Sequence, residues 1–215
     1  MKYTTKISLH EAKNILELGT DFETDLEALI RELNDVLVPQ GVYKYYEIDT
    51  LDNATFIVHN KVFHCGTKIC DALKGSTAVV ILGATVGDGV MALVNHYNKE
   101  YDFLKAYWCD KIANWTLDRV VENMKKDLAK HFVEENLKIT SNWGPGYCGW
   151  DISEQRYLME LLSDEELKIK LSPSMLMHPI KSLSGVIGIG KQVKYKKSGC
   201  SDCNLSNCTY RSLKW

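Results

Sequence analysis

The sequence lacks a strong charge of either sign. Its 26 Lys and Arg and 28 Asp and Glu residues give a formal net charge of -2, which provides no long-range attraction to nucleic acid or to an anionic membrane. It also lacks a long hydrophobic run, since the longest, Ala78–Leu82, is far too short to cross a bilayer. The polar stretch Met1–Glu11 has no signal-peptide pattern. We therefore expect a cytoplasmic protein that binds neither nucleic acid nor membrane.

The cysteines and the length limit the class of protein further. Seven cysteines in a chain without an export signal argue against a disulfide framework and favour reduced thiols, metal ligands or redox chemistry. With 215 residues, 45% of them hydrophobic, the chain can bury one sizeable core. We expect one domain over residues 1–195 and a cysteine-rich tail over residues 196–215.

Two helices are predicted from capping signals and hydrophobic spacing. Ser8 with Glu11 and Thr20 with Glu23 have the spacing of capping boxes. Apolar residues recur at helical spacing between Phe22 and Leu37, and again over Asp102–His131. The second, long helix is expected to bury a ladder of side chains: Leu104, Tyr107, Trp108, Ile112, Trp115, Val120, Met124 and Leu128.

The remaining elements alternate without a repeating strand-helix unit. Val42–Ile48 and Thr55–Val62 are predicted to pair around a turn at Leu51–Asn53. Further strands are predicted at Ala78–Leu82, Leu137–Thr140, Ile169–Leu171, Ser174–His178 and Ser184–Ile189, and short helices at Thr67–Leu73, at Val90–Asn98 and after Asp151, with Glu154 at the third position of that cap. This mixture favours an α+β fold with a mainly antiparallel twisted sheet flanked by helices, one of them long.

The segment Asn142–Trp150, N-W-G-P-G-Y-C-G-W, has the composition of a contact loop. Gly144, Pro145 and Gly146 permit a backbone path that lets N–H and C=O groups lie against a flat polar ligand. Trp143, Tyr147 and Trp150 offer ring faces beside them. A surface turn held by aromatic packing is the alternative interpretation.

Together with the sequence downstream, this loop resembles the activation domain of cobalamin-dependent methionine synthase. That family has an arginine ahead of a Pro-Gly-Tyr loop, a short helix ending in Leu-Leu, and a strand of the form Ser-x-x-Met-x-Pro-x-x-Ser-x-Ser-Gly. The matching residues are Pro145, Gly146, Tyr147, Leu161, Leu162, Ser174, Met177, Pro179, Ser182, Ser184 and Gly185. Arg119 and Glu122 resemble an Arg-x-x-Glu element on the family's long helix.

The resemblance implies a binding site for S-adenosylmethionine, whose methyl group is presented to reduced cobalamin. No side chain is expected to act as a nucleophile, because the reduced cobalt has that role. At the position of the family's arginine, Asn142 cannot make a charge-assisted bidentate bond to the ligand carboxylate; Lys181 or Lys191 could compensate. The implied ligand-binding residues are Asn142, Gly144, Pro145, Gly146, Tyr147, Glu122, Ser182 and Ser184.

The chain is too short to hold a cobalamin module as well. We therefore expect it to act in trans, as a component of a methyltransferase system. Its expected partners are a cobalamin-binding methionine synthase or another corrinoid protein, and a reductant such as flavodoxin or ferredoxin.

A second hypothesis comes from the tail, where Cys200, Cys203 and Cys208 form C-x2-C-x4-C. Turn-forming residues between closely spaced thiols let the sulfurs converge on an iron-sulfur cluster or zinc. Cys148 is the natural fourth ligand by its chemistry. The chain would then be a non-catalytic, metal-bearing docking or electron-relay subunit for a corrinoid protein. Free thiols at a terminus are the simpler interpretation.

Other candidate residues have more ordinary interpretations. Gly83–Gly89 lacks the G-x-G-x-x-G order and a P-loop lysine, so a structural turn is favoured over a ligand loop and over a nucleotide-binding oxidoreductase. Cys65, Cys70 and Cys109 are expected to pack in the interior. Asp118 and Glu122 share a helix face that is expected to be solvated. His178 could face a corrin, although a buried, hydrogen-bonded histidine is commoner.

Overall fold

The computed structural model describes residues 6–19, 22–133, 135–163 and 167–194. Its α-helices are α1 Leu9–Leu16, α2 Glu23–Val36, α3 Gly66–Leu73, α4 Gly89–Lys99, α5 Phe103–Val133 and α6 Gln155–Leu161, the last preceded by a 3₁₀ turn, Ile152–Glu154. Its strands are β1 Gln40–Glu47, β2 Thr50–Leu51, β3 Phe56–Val58, β4 Lys61–Phe63, β5 Ala78–Thr85, β6 Lys138–Trp143, β7 Lys170–Leu171, β8 Met177–His178 and β9 Ser182–Gly190. Among these described helices, none is both long and apolar enough to cross a membrane.

The largest sheet has the strand order β1-β5-β9-β6. β6 and β9 pair antiparallel, and the register shifts between Ile139 and Asn142. β2, β3 and β4 form a separate antiparallel sheet, and β7 pairs with β8. Every residue of β5 is buried, so both faces of this strand are covered by other parts of the protein. The α+β class with a mainly antiparallel sheet and one long helix is confirmed.

One predicted capping box is confirmed and the other is wrong. The Ser8 hydroxyl accepts a hydrogen bond from the Glu11 N–H at 3.3 Å, and the Glu11 carboxylate accepts one from the Ser8 N–H at 3.1 Å. α2 instead has Phe22 as its N-cap, without a side-chain cap. Glu23 is therefore the first helical residue and not the third, so it cannot complete a box. Thr20 lies outside the described residues.

The predicted strand Thr55–Val62 is two strands, and its predicted partner is wrong. His59 and Asn60 have φ values of 47° and 60°, the combination that a tight two-residue hairpin turn requires. The chain reverses there and pairs Ile57 with Val62. β3 therefore lies between β2 and β4, while β1 joins β5 in the other sheet. The sequence analysis missed the turn because neither residue is glycine.

The core ladder of α5 is confirmed from Trp108 onward but not at its start. Trp108, Ile112, Val120, Met124 and Leu128 are buried, whereas Leu104 and Tyr107 are 46% and 56% exposed. Trp115 is half-buried. Ala106 and Cys109 complete the buried face of the first turns. The core of this part of the helix thus lies on a different face from Leu104 and Tyr107.

The chain divides into two compact units. The first comprises Met1–Tyr43, Gly83–Asp127 and Leu162–Ser184. Within it, Asn34 bonds both backbone groups of Ile7, at 2.8 and 2.9 Å. The second comprises Lys44–Leu82, Leu128–Leu161 and Gly185–Trp215. Its aromatic cluster is formed by Phe56, Phe63, Trp150 and Tyr157. The predicted boundary between residues 195 and 196 lies outside the described residues.

Candidate ligand loop and its surroundings

The candidate loop lies between β6 and the 3₁₀ turn of the second unit. β6 was predicted to end at Thr140, but it continues through Trp143, because Asn142 and Trp143 pair with Ile187 and Val186 beyond the register shift. Asn142 is therefore a strand residue, and the loop proper is Gly144–Trp150. We call this segment the ligand loop.

The ligand loop is closed by its own hydrogen bonds. The N–H of Tyr147 donates to the Gly144 carbonyl at 3.2 Å, and the N–H of Gly146 donates to the Trp150 carbonyl at 2.8 Å. The N–H of Trp150 in turn donates to the Tyr147 carbonyl at 2.9 Å. Of these donors, the Gly146 N–H was expected to lie against a ligand but is used inside the loop. The carbonyls of Pro145 and Gly146 accept no hydrogen bond from the described residues, so they remain available as acceptors.

The three aromatic residues of this region differ in how far they are exposed to solvent. Trp143 is 4% and Trp150 is 1% exposed, whereas Tyr147 is 67% exposed. Gly144 and Pro145 are buried, and Gly146 is exposed. The ligand loop therefore presents Gly146, Tyr147 and Gly149 to solvent, while Trp143 before it and Trp150 at its end are packed in the interior.

A buried carboxylate holds the far end of the ligand loop. The indole N–H of Trp150 donates to Glu154 at 2.7 Å, and its ring meets Phe56 and Phe63 edge-on, each with centroids 5.9 Å apart. Asp151 caps the 3₁₀ turn as predicted, accepting from the Ser153 N–H at 2.7 Å. Glu154, predicted to complete that cap, is buried and also bonds His64.

The sequence analysis missed this Glu154 site. Its one local signal is the spacing of Trp150 and Glu154, four residues apart. His64 comes from a distant part of the sequence.

Asn142 occupies a restricted position at the start of the loop. A Cβ atom on Gly185 would collide with the Asn142 Oδ1 atom. The glycine at position 185 therefore leaves room for the Asn142 side chain. Oδ1 is buried, and neither it nor the Trp143 indole N–H has a hydrogen-bond partner among the described residues. Buried polar atoms without a partner are uncommon in folded proteins. These two atoms retain hydrogen-bonding capacity beside the ligand loop.

The other predicted ligand residues lie in the first unit. The Ser182 hydroxyl donates to the Pro179 carbonyl at 2.6 Å and lies 2.8 Å from the Thr85 hydroxyl, so its one donor is used within the first unit. Ser184 is buried, and its hydroxyl has no partner among the described residues. Glu122, on α5, pairs with Lys125 at 2.6 Å. Asn142, Gly144, Pro145, Gly146 and Tyr147 belong to the second unit.

Asp118 and Glu122 form an acidic face on α5. Desolvation by the surrounding protein raises the pKa of Asp118 to about 6, and the nearby Glu122 carboxylate adds to the shift. Asp118 and Glu122 are both exposed, as the sequence analysis expected for this face. Arg119, between them, bonds Glu11 at 2.8 Å and lies 4.8 Å above the Trp115 ring.

The lysines suggested as substitutes for the family's arginine differ in availability. The Lys181 ammonium bonds Asp110 at 2.6 Å and Asn114 at 2.8 Å, and its side chain is only 12% exposed. It is therefore already engaged within the first unit. Lys191 is exposed.

The cysteines among the described residues do not form a metal site. The Cys65 and Cys70 sulfurs lie 3.2 Å apart in the interior, where burial raises the pKa of both thiols. Burial likewise raises the pKa of Cys109 to about 12. Cys148 is half-buried. The described part of the chain places no three His, Cys, Asp or Glu side chains to hold a metal, and Cys200, Cys203 and Cys208 lie outside it.

Two further regions do not add to the candidate site. Gly87 and Gly89 are packed against Val38 and Val36, which supports the interpretation of Gly83–Gly89 as a structural turn. A cavity of about 560 Å³ in the second unit is lined by the Leu51–Thr55 turn and three α3-region residues, Cys70, Asp71 and Lys74. It includes no residue of the ligand loop. His178 is exposed.

Comparison with known proteins finds a protein family and several solved structures. A family model described as "Vitamin B12 dependent methionine synthase, activation domain" matches residues 69–204, more than half of the chain. A structure described as "Crystal Structure of the MetH Reactivation Domain bound to AdoHcy" is similar with a TM-score of 0.54 and 16% identity, over 89% of this chain and 79% of that one. At this identity the structural likeness concerns the fold. No match is found among curated proteins.

Proposed function

The chain belongs to the activation-domain family of vitamin B12 dependent methionine synthase, and from this premise we propose that it binds S-adenosylmethionine and supports reductive methylation of inactive cobalamin on a separate methionine synthase. The observation that carries the proposal is the ligand loop. It lies within the matched residues and exposes 67% of Tyr147 while its far end is buried. The similar MetH reactivation domain is described as bound to AdoHcy.

The residues of the ligand loop suit such a ligand. The Tyr147 ring can lie against the adenine or beside the positive sulfonium. The carbonyls of Pro145 and Gly146 can accept hydrogen bonds from an amino group, and Asn142 Oδ1 has no protein partner among the described residues. Asn142 carries no charge, so it binds a carboxylate more weakly than an arginine would.

When bound, S-adenosylmethionine supplies an electrophilic methyl group. The protein's contribution is to hold that group in place and orient it. No side chain of this chain has to form a covalent bond. Glu122, Ser182 and Ser184 are proposed to complete the ligand site, on the strength of the family motifs that they match.

Calorimetry with S-adenosylmethionine tests the ligand. We expect saturable binding, competed by S-adenosylhomocysteine. The Asn142→Arg variant should bind more tightly, because it restores a cation for the ligand carboxylate. Absence of both heat and competition in the unmutated protein would contradict the ligand assignment. An unchanged constant in Asn142→Arg would instead show that position 142 does not face the carboxylate.

The activation role needs a test with a partner. We propose that the partner is a cobalamin-binding methionine synthase, supplied with electrons by a reductant such as flavodoxin or ferredoxin. Mixing the protein with inactive, cobalamin-loaded synthase that lacks its own activation domain, plus reductant and S-adenosylmethionine, should regenerate methylcobalamin, seen by absorbance. If the components are active in controls and the spectrum does not change, the role in activation is wrong.

We also propose a metal-bearing docking or electron-relay role as the second candidate function. It is supported by the C-x2-C-x4-C spacing of Cys200, Cys203 and Cys208, and the half-buried Cys148 is the proposed fourth ligand. Protein prepared without oxygen should contain stoichiometric iron and sulfide, or zinc. The triple variant Cys200→Ser, Cys203→Ser, Cys208→Ser should lose it. Metal-free protein with freely titrating thiols would remove this candidate.

A further inference from the structure

Glu154 is the acceptor for N–H groups from two separate segments of the second unit. One oxygen accepts from the Trp150 indole N–H at 2.7 Å and from the His64 backbone N–H at 2.9 Å. The other lies 2.8 Å from His64 Nδ1. The carboxylate side chain is 10% exposed and the imidazole 69% exposed. An ionised carboxylate is an acceptor only, so His64 Nδ1 must carry a proton to bond it.

This arrangement offsets the cost of burying the carboxylate. An ionised group in the interior is strongly disfavoured unless donors replace its water shell. Here the donors come from the ligand loop on one side and from the segment between β4 and α3 on the other. The bonds therefore fix Trp150 relative to His64.

The position of Trp150 in turn determines the shape of the ligand loop. Its carbonyl accepts from the Gly146 N–H, and its own N–H donates to the Tyr147 carbonyl. Gly146 and Tyr147 are two of the residues that the loop exposes. A displaced Trp150 would thus move the backbone of both.

We propose that Glu154 is a positioning residue for the ligand loop, holding Trp150 so that Tyr147 and the Gly146 carbonyl are presented to the ligand. His64 also bonds the Glu154 carboxylate and so helps to hold it in place. This inference rests on the proposed S-adenosylmethionine site. It assigns to Glu154 and His64 no contact with the ligand.

The Glu154→Gln variant gives this role a distinctive pH dependence. Glutamine has one acceptor oxygen and one donor amide. With its oxygen toward Trp150 and the His64 backbone, its NH₂ group faces Nδ1, which can accept only in the neutral imidazole. Acidification therefore places two donors together in the variant. The unmutated carboxylate accepts from either form of the imidazole.

Few other titratable groups face this pair. Glu154 is the charged group that bonds His64 in the described structure. Cys65, the next residue along the chain, has a buried thiol whose pKa is raised by burial, so it stays neutral over the range in which histidines titrate.

The test measures S-adenosylhomocysteine affinity by calorimetry at about pH 8 and about pH 5.5, on either side of the usual histidine range. Relative to unmutated protein, Glu154→Gln should bind within about twofold at the higher pH and about tenfold more weakly at the lower pH. The matched control is Glu160→Gln, the same change on α6 at an exposed residue that pairs with Lys61. The ratio of its dissociation constant to that of the unmutated protein should stay near one at both pH values.

A second variant separates positioning from general destabilisation. Adding His64→Ala to Glu154→Gln removes the donor that the amide meets, so the pH dependence of the ratio should disappear. Circular dichroism at both pH values verifies folding.

A pH-independent ratio for Glu154→Gln, or the same loss in Glu160→Gln, overturns the inference while leaving the ligand assignment intact. Failure of the unmutated protein to bind overturns both. Persistence of the pH effect after His64→Ala shows that the imidazole is not involved and also overturns it.

Discussion

Glu154, which is buried beside the ligand loop, and Asp118, on the exposed acidic face of α5, differ in what surrounds their carboxylates. Glu154 receives hydrogen bonds from Trp150 and His64. Asp118 has no hydrogen bond within the described residues, and its pKa rises to about 6 through desolvation and then through Glu122. The first carboxylate organises structure. The second lies on the exposed surface of α5.

The largest expected effect comes from removing the anchor of the ligand loop. Trp150→Ala deletes a side chain that is 1% exposed and should lower the free energy of unfolding by about 3 to 5 kcal/mol. Denaturant titration measures this. Trp115→Ala, at a half-buried tryptophan on α5, is the matched control and should cost less. Equal losses would mean that the loop end is no better anchored than the helix surface.

The exposed part of the same loop should behave in the opposite way. Tyr147→Ala should weaken S-adenosylmethionine binding by about 1 to 3 kcal/mol and change the stability little, because the side chain is 67% exposed. Calorimetry and thermal melting measure the two quantities separately. Tyr107→Ala, at another exposed tyrosine, should leave binding unchanged. If both tyrosines affect binding equally, the assignment of the loop fails.

A smaller effect is expected from the backbone of the ligand loop. Gly149 has a φ of 86° and an added Cβ would meet no atom within 4 Å, so Gly149→Ala introduces backbone strain without a clash. We expect a loss of about 1 kcal/mol in the free energy of unfolding. Gly19→Ala provides the control, since that position has open space and no positive φ. A neutral Gly149→Ala would indicate that the loop adjusts freely.

The smallest effect concerns the acidic face. The folded-state pKa of Asp118 is raised to about 6 from an ordinary value of 3.8, so the folded protein holds a proton that the unfolded chain has lost. Stability should therefore fall as pH rises between these values and then level off. Asp118→Asn should raise the melting temperature at pH 8 and not at pH 3, by the equivalent of about 1 kcal/mol or less because solvent screens the exposed part. A gain that does not depend on pH would point to packing instead of charge.

Elements with strong periodic patterns could be predicted from the sequence. The helices over Glu23–Val36 and Phe103–Val133 and the buried strand at Ala78 were identified from apolar spacing. The hairpin turn at His59 and Asn60 could not be recognised, because non-glycine residues occupy its left-handed positions. Strand pairing also depends on distant residues, so the location of β1 beside β5 was not accessible from local patterns.

The site was predicted in part. The ligand loop was found by its composition, and the resemblance identified its family. Which of its aromatic residues is exposed depends on packing against Phe56 and Phe63 from another part of the sequence. The same holds for Glu154, whose spacing from Asp151 suggested a cap. Tertiary contacts with His64 and Trp150 decided otherwise.

The complete burial of β5 also has a consequence for how the chain reaches its native state. Its sequence, A-V-V-I-L-G-A-T, has no charge and no proline, the composition of segments that pair with other chains when they are exposed. Of its two neighbours in the sheet, β1 precedes it in the chain, but β9 is synthesised only after the long helix. Until β9 emerges from the ribosome, one edge of β5 is uncovered, and at that stage the chain is most prone to aggregate or to require a chaperone.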